Sequence, residues 1–411
     1  MRSEAPRARR IAASALLFWL VPAGACLGQI DPLKQRLAEF GWDHPLSGAG
    51  PTAGYAFFYL NEPDYLRKGS ALRLAVAPVY ADGEYGIGKA LGPDTDLAFG
   101  LAGGGFEQDH AEVRDGHYFR EESFNGDGAT GSISVYHLFD PGRMIPLSAV
   151  LRESVQYSDF ERSQYTASDF VLPSDHVTYI TRFGLRFGGE RPTMPPSDAL
   201  EVSAWYEGRI RNHQGPYGLS GDRVLQPTSH FGWLKTVLVH VLPSGRRMGL
   251  GMSAGTSVDA DRLNGFALGG FLPLTSDFPK DIPGYYNQEL TARRFILFSG
   301  QYGVPLDRAK RFMVNVFGAF AVVSYVPGLE QQGPSNSGAG IGLQYESDSH
   351  AWNVLLDYGY GINAERSGAR GSHSVGLTLQ FDLLAKKHPP RPASVAPLPV
   401  FKPIIPAVPL R

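Results

Sequence analysis

Gly251-Met252-Ser253-Ala254-Gly255 spells G-x-S-x-G, the spacing with which hydrolases lift a serine onto a sharp strand-to-helix turn beside a base and an oxyanion hole. Here Met248, Leu250, Met252 and Ala254 alternate with Gly249, Gly251, Ser253 and Gly255, which places Ser253 mid-strand on the small-residue face. The motif therefore reads as a chance match in a chain with 49 glycines. Gly103-Gly104-Gly105 has the composition of an oxyanion loop, but no Arg-Gly follows it. A barrel phospholipase needs a serine and a histidine held together on the outer wall, and neither His137 nor His240 has a serine at a matching offset. Asp109 and His110 are adjacent without metal-ligand spacing, and no phosphate loop or dinucleotide fingerprint is present. The expectation is a non-enzymatic protein with no catalytic, cofactor-binding or metal residue and no cofactor.

A second set of chemically capable residues is Arg182, Arg186, Glu201, Glu207 and Arg209. They fall on the polar side of alternating segments, where they could line a conducting path or pair with one another as a structural network. Their mixed signs argue against a strongly selective pore, and pairing is the favoured reading. The segments that carry them belong to a long run of period-two alternation between Gly54 and Leu384. Ser374, Gly376, Thr378 and Gln380 alternate with Val375, Leu377, Leu379 and Phe381. A soluble sandwich would turn the apolar face inward and a lysine-rich face to water. Here the polar faces hold glycine, serine and paired charges, which suits a crowded wet interior. The opposite faces are broad and aromatic, as an outward lipid band requires.

Composition agrees with that reading. Gly 49, Tyr 19 and Phe 24, with charged residues at 19%, favour β structure, and a net charge of -2 offers no field for nucleic acid. A single cysteine excludes an internal disulfide framework. The first residues show Arg2, Arg7, Arg9 and Arg10, an apolar run over 11–21, and Ala23-Gly24-Ala25-Cys26, the build of a signal peptide over residues 1–28. Cys26 leaves lipidation open. Residues 29–52 read as a short periplasmic lead with a helical turn over 33–40. Residues 53–385 are expected as the barrel and 386–411 as a basic, proline-rich tail, either a spacer toward a peptidoglycan or periplasmic partner or a functionless end.

Short and long connections alternate along 53–385, the parity of outer-membrane barrels with periplasmic turns and extracellular loops. The fold class is an all-β transmembrane antiparallel barrel of about 14 strands, within 12–16, with both ends periplasmic. Its longest connection, over 263–290, contains Pro283-Gly284, a tight-turn pair, flanked by Phe271, Phe278, Tyr285 and Tyr286. So many rings need a surface to pack on, which predicts a loop folded into the lumen.

Two stretches resemble a known family. Ser374-x-Gly376-x-x-Leu379-x-Phe381 resembles the barrel-assembly signal carried on the last strand of outer-membrane proteins. Leu268-Gly269-Gly270, Ile282-Pro283-Gly284-Tyr285, Glu289 and the strand after them resemble the sixth extracellular loop of the bacterial surface antigen family, the assembly-factor and two-partner-secretion barrels. The resemblance covers about 249–384 and implies an inward-folded loop held through Pro283, Gly284 and Tyr285. Family members carry an arginine where this chain has Pro283, reaching acidic groups on the barrel wall, and periplasmic transport-associated domains that residues 29–52 are too few to contain. The implied setting is the outer membrane of a Gram-negative-type bacterium, with lipid and the barrel-assembly machinery as partners and no nucleic acid. The expected function is transport- or assembly-related. A passive or gated porin, a barrel-borne lipid hydrolase and an adhesive surface antigen stand as alternatives.

Overall fold

The computed structural model describes residues 33–105, 107–139, 147–189, 198–272, 280–331, 333–366, 368–385 and the backbone of 408–410. The expected signal peptide, Cys26, Phe278 and most of the tail lie outside the described residues. Sixteen strands close into one antiparallel barrel. They are β1 (Gln35–Pro45), β2 (Thr52–Pro63), β3 (Ser70–Val76), β4 (Tyr80–Ile87), β5 (Thr95–Gly104), β6 (His117–Leu138), β7 (Leu147–Glu161) and β8 (His176–Gly189). The circuit continues with β9 (Ala199–Arg211), β10 (Thr228–Val241), β11 (Arg247–Val258), β12 (Leu290–Pro305), β13 (Phe312–Tyr325), β14 (Ser335–Glu346), β15 (Trp352–Arg366) and β16 (Ala369–Asp382). Each strand pairs with its neighbours in sequence, and β16 pairs with β1 from Leu37↔Asp382 to Pro45↔Ser374. Leu46 N–H to His373 C=O and Leu383 N–H to Arg36 C=O extend that seam beyond both ends.

Burial is inverted relative to a soluble protein, and this decides which face meets lipid. On β16, Ser374 and Gln380 are 1% and 4% exposed, while Phe381 is 42% exposed; on β15, Leu356 is 51% exposed. The apolar side chains form the outer band and the polar ones line the lumen, as a membrane barrel requires. No described helix is long and apolar enough to cross a membrane, and strands do the crossing instead.

The strand count lies at the top of the expected range, and the difference arises near the start of the barrel. Residues expected as a lead with a helical turn form β1, whose Leu37, Glu39 and Asp43 face inward while Phe40 and Trp42 face out. The leucines and Phe40 mimic a helical stripe. What sets the strand is the ladder offered by both β2 and β16, with inward Glu39 accepting from Tyr55 Oη and Gln380 Nε2, each at 2.6 Å. Over 362–372 the chain forms a hairpin that continues β15 and β16 to Arg366 and Ala369. The loops over 107–128 and 212–227 contain strand pairs of their own, His110–Arg114 against the start of β6 and Pro216–Leu219 against Arg223–Val224.

Candidate functional site: the loop folded into the lumen

The connection from β11 to β12 enters the barrel and is positioned step by step by its own sequence. Asp261 Oδ1 accepts from Leu263 N–H, and Asp261 is paired with Arg211, which fixes the entry turn. Phe266–Leu268 then adds to β12 opposite Leu290–Ala292. Gly269 and Gly270 adopt φ of 115° and 89°, and Gly270 bridges Ile282, so the descending and returning limbs pair inside the lumen. Gly269 N–H donates to Lys280 C=O at 2.9 Å.

The returning limb makes the turn expected of Pro283-Gly284. Tyr285 N–H donates to Ile282 C=O at 3.3 Å across it, and Gly284 has φ 82°, the residue pattern of a type II turn. Glycine is required here for a second reason: a Cβ on Gly284 would lie 1.9 Å from the Gly361 amide nitrogen. The wall answers with glycines of its own. Gly338 on β14 meets the Pro283 carbonyl, Gly359 on β15 meets Phe271, Gly284 and Pro283, and Gly376 on β16 lies under the Phe271 ring. Asp43 on β1 accepts from Phe271 N–H at 3.0 Å, and Tyr285 Oη donates to Asn336 Oδ1 at 3.2 Å. Leu268, Ile282, Tyr285 and Leu290 join Trp233, Phe295 and Leu297 in one apolar cluster on the other flank. Burial draws the Lys280 ammonium on the returning limb down to about 8 and lifts the Asp281 carboxyl to about 6.

The clamp at the mouth of this assembly is ionic. Arg366 at the end of β15 grips Glu289 with both terminal nitrogens, at 2.8 and 2.7 Å, and lies 3.7 Å over the Tyr286 ring. Glu289 also accepts from Tyr286 N–H at 2.8 Å. The side chains of Arg366 and Glu289 are 5% and 0% exposed. The family pattern has an arginine on the loop reaching acids on the wall; here the loop supplies the acid and the wall the arginine. Sequence reasoning reached Glu289 as the edge of the motif but missed Arg366, since no spacing links residues 77 apart.

Above the clamp, the outer loops interlock. Glu112 pairs with His110, Arg114, Arg223 and Arg262, while Glu122 pairs with Arg114 and Arg223. Phe170–Val171 and Pro216–Leu219 join the loops on either side of β8 and β9 through a short ladder. Burial pushes the Glu112 carboxyl up, but the His110 hydrogen bond and the charges of His110, Arg223 and Arg262 hold it below the usual range.

The charges singled out on the lumen wall all face inward. Glu207 accepts from Arg182 Nε and Arg209 Nε, both at 2.6 Å. Glu201 sits 3.3 Å from Lys235 and accepts from Ser203. Arg186 is buried on β8 and its carbonyl accepts from Ser148 Oγ. The row continues through Arg152 with Glu84 and Arg73 with Asp82. Ser253 is buried mid-strand in β11, and its Oγ makes no hydrogen bond among the described residues; the geometry is not that of a nucleophile elbow. His137 lies beside Thr95 and His240 beside Asp198, both on the outer side. Ser374 and Gly376 face the lumen, while Leu379 and Phe381 face lipid.

No protein-family model matches the sequence, and no curated protein matches it. Solved structures do. CdiB from Acinetobacter baumannii aligns with 85% of this chain at TM-score 0.56 and 10% identity. CdiB from Escherichia coli aligns with 85% at TM-score 0.53 and 11% identity. BamA from Haemophilus ducreyi lacking POTRA domains 1-3 aligns with 92% at TM-score 0.52 and 13% identity. In fold, the chain is similar to the CdiB and BamA barrels. The chain spans 60% and 63% of the two CdiB chains and 80% of the BamA chain. A closed β-barrel of this fold with an outward apolar band belongs in the outer membrane, and the folded-in loop occupies the interior of this one.

Proposed function

We propose that this protein is a non-enzymatic outer-membrane transport barrel whose resting state is closed by its own β11–β12 loop. The carrying observation is the Arg366–Glu289 clamp, buried at the mouth and stacked on Tyr286. Passage through the lumen requires the loop to move, and the clamp sets the cost of moving it. Similarity to CdiB and BamA supports transport or assembly. Between these, the β1–β16 seam, paired over its whole length, favours a route through the lumen over lateral release into lipid. The paired lumen charges then serve as structure and as a weakly selective lining. Lipid and the barrel-assembly machinery are the partners such a barrel needs on the way to its site.

Planar-bilayer recording tests the reading. The wild type should be quiet, and Arg366→Ala should open large, stepwise conductance while retaining heat-modifiable migration on a gel. A wild type with steady large conductance would instead identify a passive porin, and a quiet, folded Arg366→Ala variant would remove the clamp from the mechanism.

A further inference from the structure

The barrel wall is lowest at β3 and β4, which have 7 and 8 residues. A strand rises about 3.3 Å per residue and tilts by about 40° in such a barrel, so β3 covers about 18 Å of an apolar band about 25 Å tall. Leu72, Leu74 and Val76 are its only outward side chains. The shortfall falls at the strand ends, where two short turns begin, residues 64–69 between β2 and β3 and residues 88–94 between β4 and β5. These turns lie side by side, with Gly88 N–H donating to Gly69 C=O at 2.8 Å. Each is also fixed from within. Gly69 N–H donates to Asp64 Oδ1 and Lys89 N–H to Asp96 Oδ1, both at 2.7 Å, and Ser70 Oγ donates to Arg67 C=O at 2.8 Å.

The fixed turns present apolar side chains. Leu66 is 81% exposed, more than any other large apolar side chain among the described residues, with Leu91 at 55% and Tyr65 at 39%. Leu66 also has φ 64°, and it is the only apolar residue with a positive φ among the described ones. Glycine or asparagine takes that conformation with less strain, so leucine holds the tip against its backbone preference. Beside these side chains stand Arg67, Lys68 and Lys89, all exposed and none in an ion pair among the described residues. We propose that the two turns are an interfacial anchor: Tyr65, Leu66 and Leu91 enter the periplasm-facing leaflet, and Arg67, Lys68 and Lys89 take the headgroup of an anionic phospholipid. Two features favour lipid over a soluble partner. The outward Leu72 and Ile87 run directly into the turns, so the exposed leucines continue the lipid-facing band where the short strands leave it incomplete. The pairing of an amphipathic ring and apolar tips with cations matches the layering of a membrane interface. Three cations against Asp64 and Asp94 leave the turns one positive charge in excess, which complements a phosphate-bearing anionic surface.

Fluorescence quenching tests the anchor. Leu66→Cys carries an NBD label in vesicles of equal parts phosphatidylglycerol and phosphatidylcholine, one or the other bearing a spin-labelled acyl chain, with labelled wild type subtracted to account for Cys26. Leu356→Cys on the lipid face of β15 is the standard for an inserted barrel. The label at residue 66 should be quenched as the standard is, and quenching should report about a fivefold preference for phosphatidylglycerol, the effect of one net positive charge at an anionic surface. Adding Arg67→Gln, Lys68→Gln and Lys89→Gln should bring that preference to one or below while the label stays quenched. The proposal is overturned if the standard is quenched and residue 66 is not, which would turn the leucines toward a periplasmic protein. It is equally overturned if the preference is absent or survives the triple substitution. Misfolding does not confuse the reading, because Leu66→Cys alters no barrel strand and each sample is checked for heat-modifiable migration.

Discussion

The wall from β14 to β16 and the wall from β3 to β10 face the same lumen and are built on opposite principles. The first is stripped to glycine at Gly338, Gly359, Gly361 and Gly376, so that a folded loop can rest on bare backbone. The second fills its share of the interior with side chains that neutralise one another, Arg73 with Asp82, Arg152 with Glu84, and Arg182 and Arg209 with Glu207. Shape complementarity of the first kind has little slack, since an added Cβ meets the loop's backbone at Gly338, Gly359 and Gly361 and the Phe271 ring at Gly376. A charge network has neighbours that can take over part of a lost contact.

That contrast can be broken at graded points. The largest effect is expected from Gly284→Val, which adds a Cβ 1.9 Å from the Gly361 nitrogen at φ 82°. The loop should be expelled, at more than about 4 kcal/mol of docking free energy, and protease should cut near residues 281–286 in the variant only. Next is Arg366→Ala, which leaves Glu289 buried without its countercharge and should cost about 3–5 kcal/mol, read as a lower temperature for loss of heat-modifiable migration. Arg366→Lys should recover only part, because one ammonium cannot reproduce the two-nitrogen grip and the stacking on Tyr286.

Glu207→Gln tests the other wall. It should cost only about 1–2 kcal/mol, because Arg182 and Arg209 keep partial access to water, and should shift any conductance measured in the Arg366→Ala background toward anions. A cost equal to that of Arg366→Ala would erase the distinction between the walls. The smallest effect is a pH dependence of the roof. Glu112 has a folded pKa below its unfolded value, so its contribution is present above about pH 4.3 and is lost as pH falls through the lower folded value. Proteolysis within 107–128 should accelerate in that acidic window for the wild type and show no such step in Glu112→Gln.

Much of the architecture was legible because lipid on one side and water on the other force strict alternation, as in β15 and β16. The Pro283-Gly284 turn was legible because proline and glycine each fix a dihedral. β1 was obscured because a strand's identity rests on its partners, and its closing partner β16 lies at the other end of the chain. The clamp was illegible for a related reason: one arginine among many becomes special only when β15 brings it over Tyr286 and Glu289.

The glycines under Phe271, Pro283 and Gly284 carry a consequence for engineering. The loop is half of a mould, and the other half is distributed over three strands beginning some 50 residues later. Transplanting residues 259–289 into another 16-stranded scaffold would move a casting without its die. Only a graft that also carries β14 to β16, with Arg366 at its margin, transfers a working part.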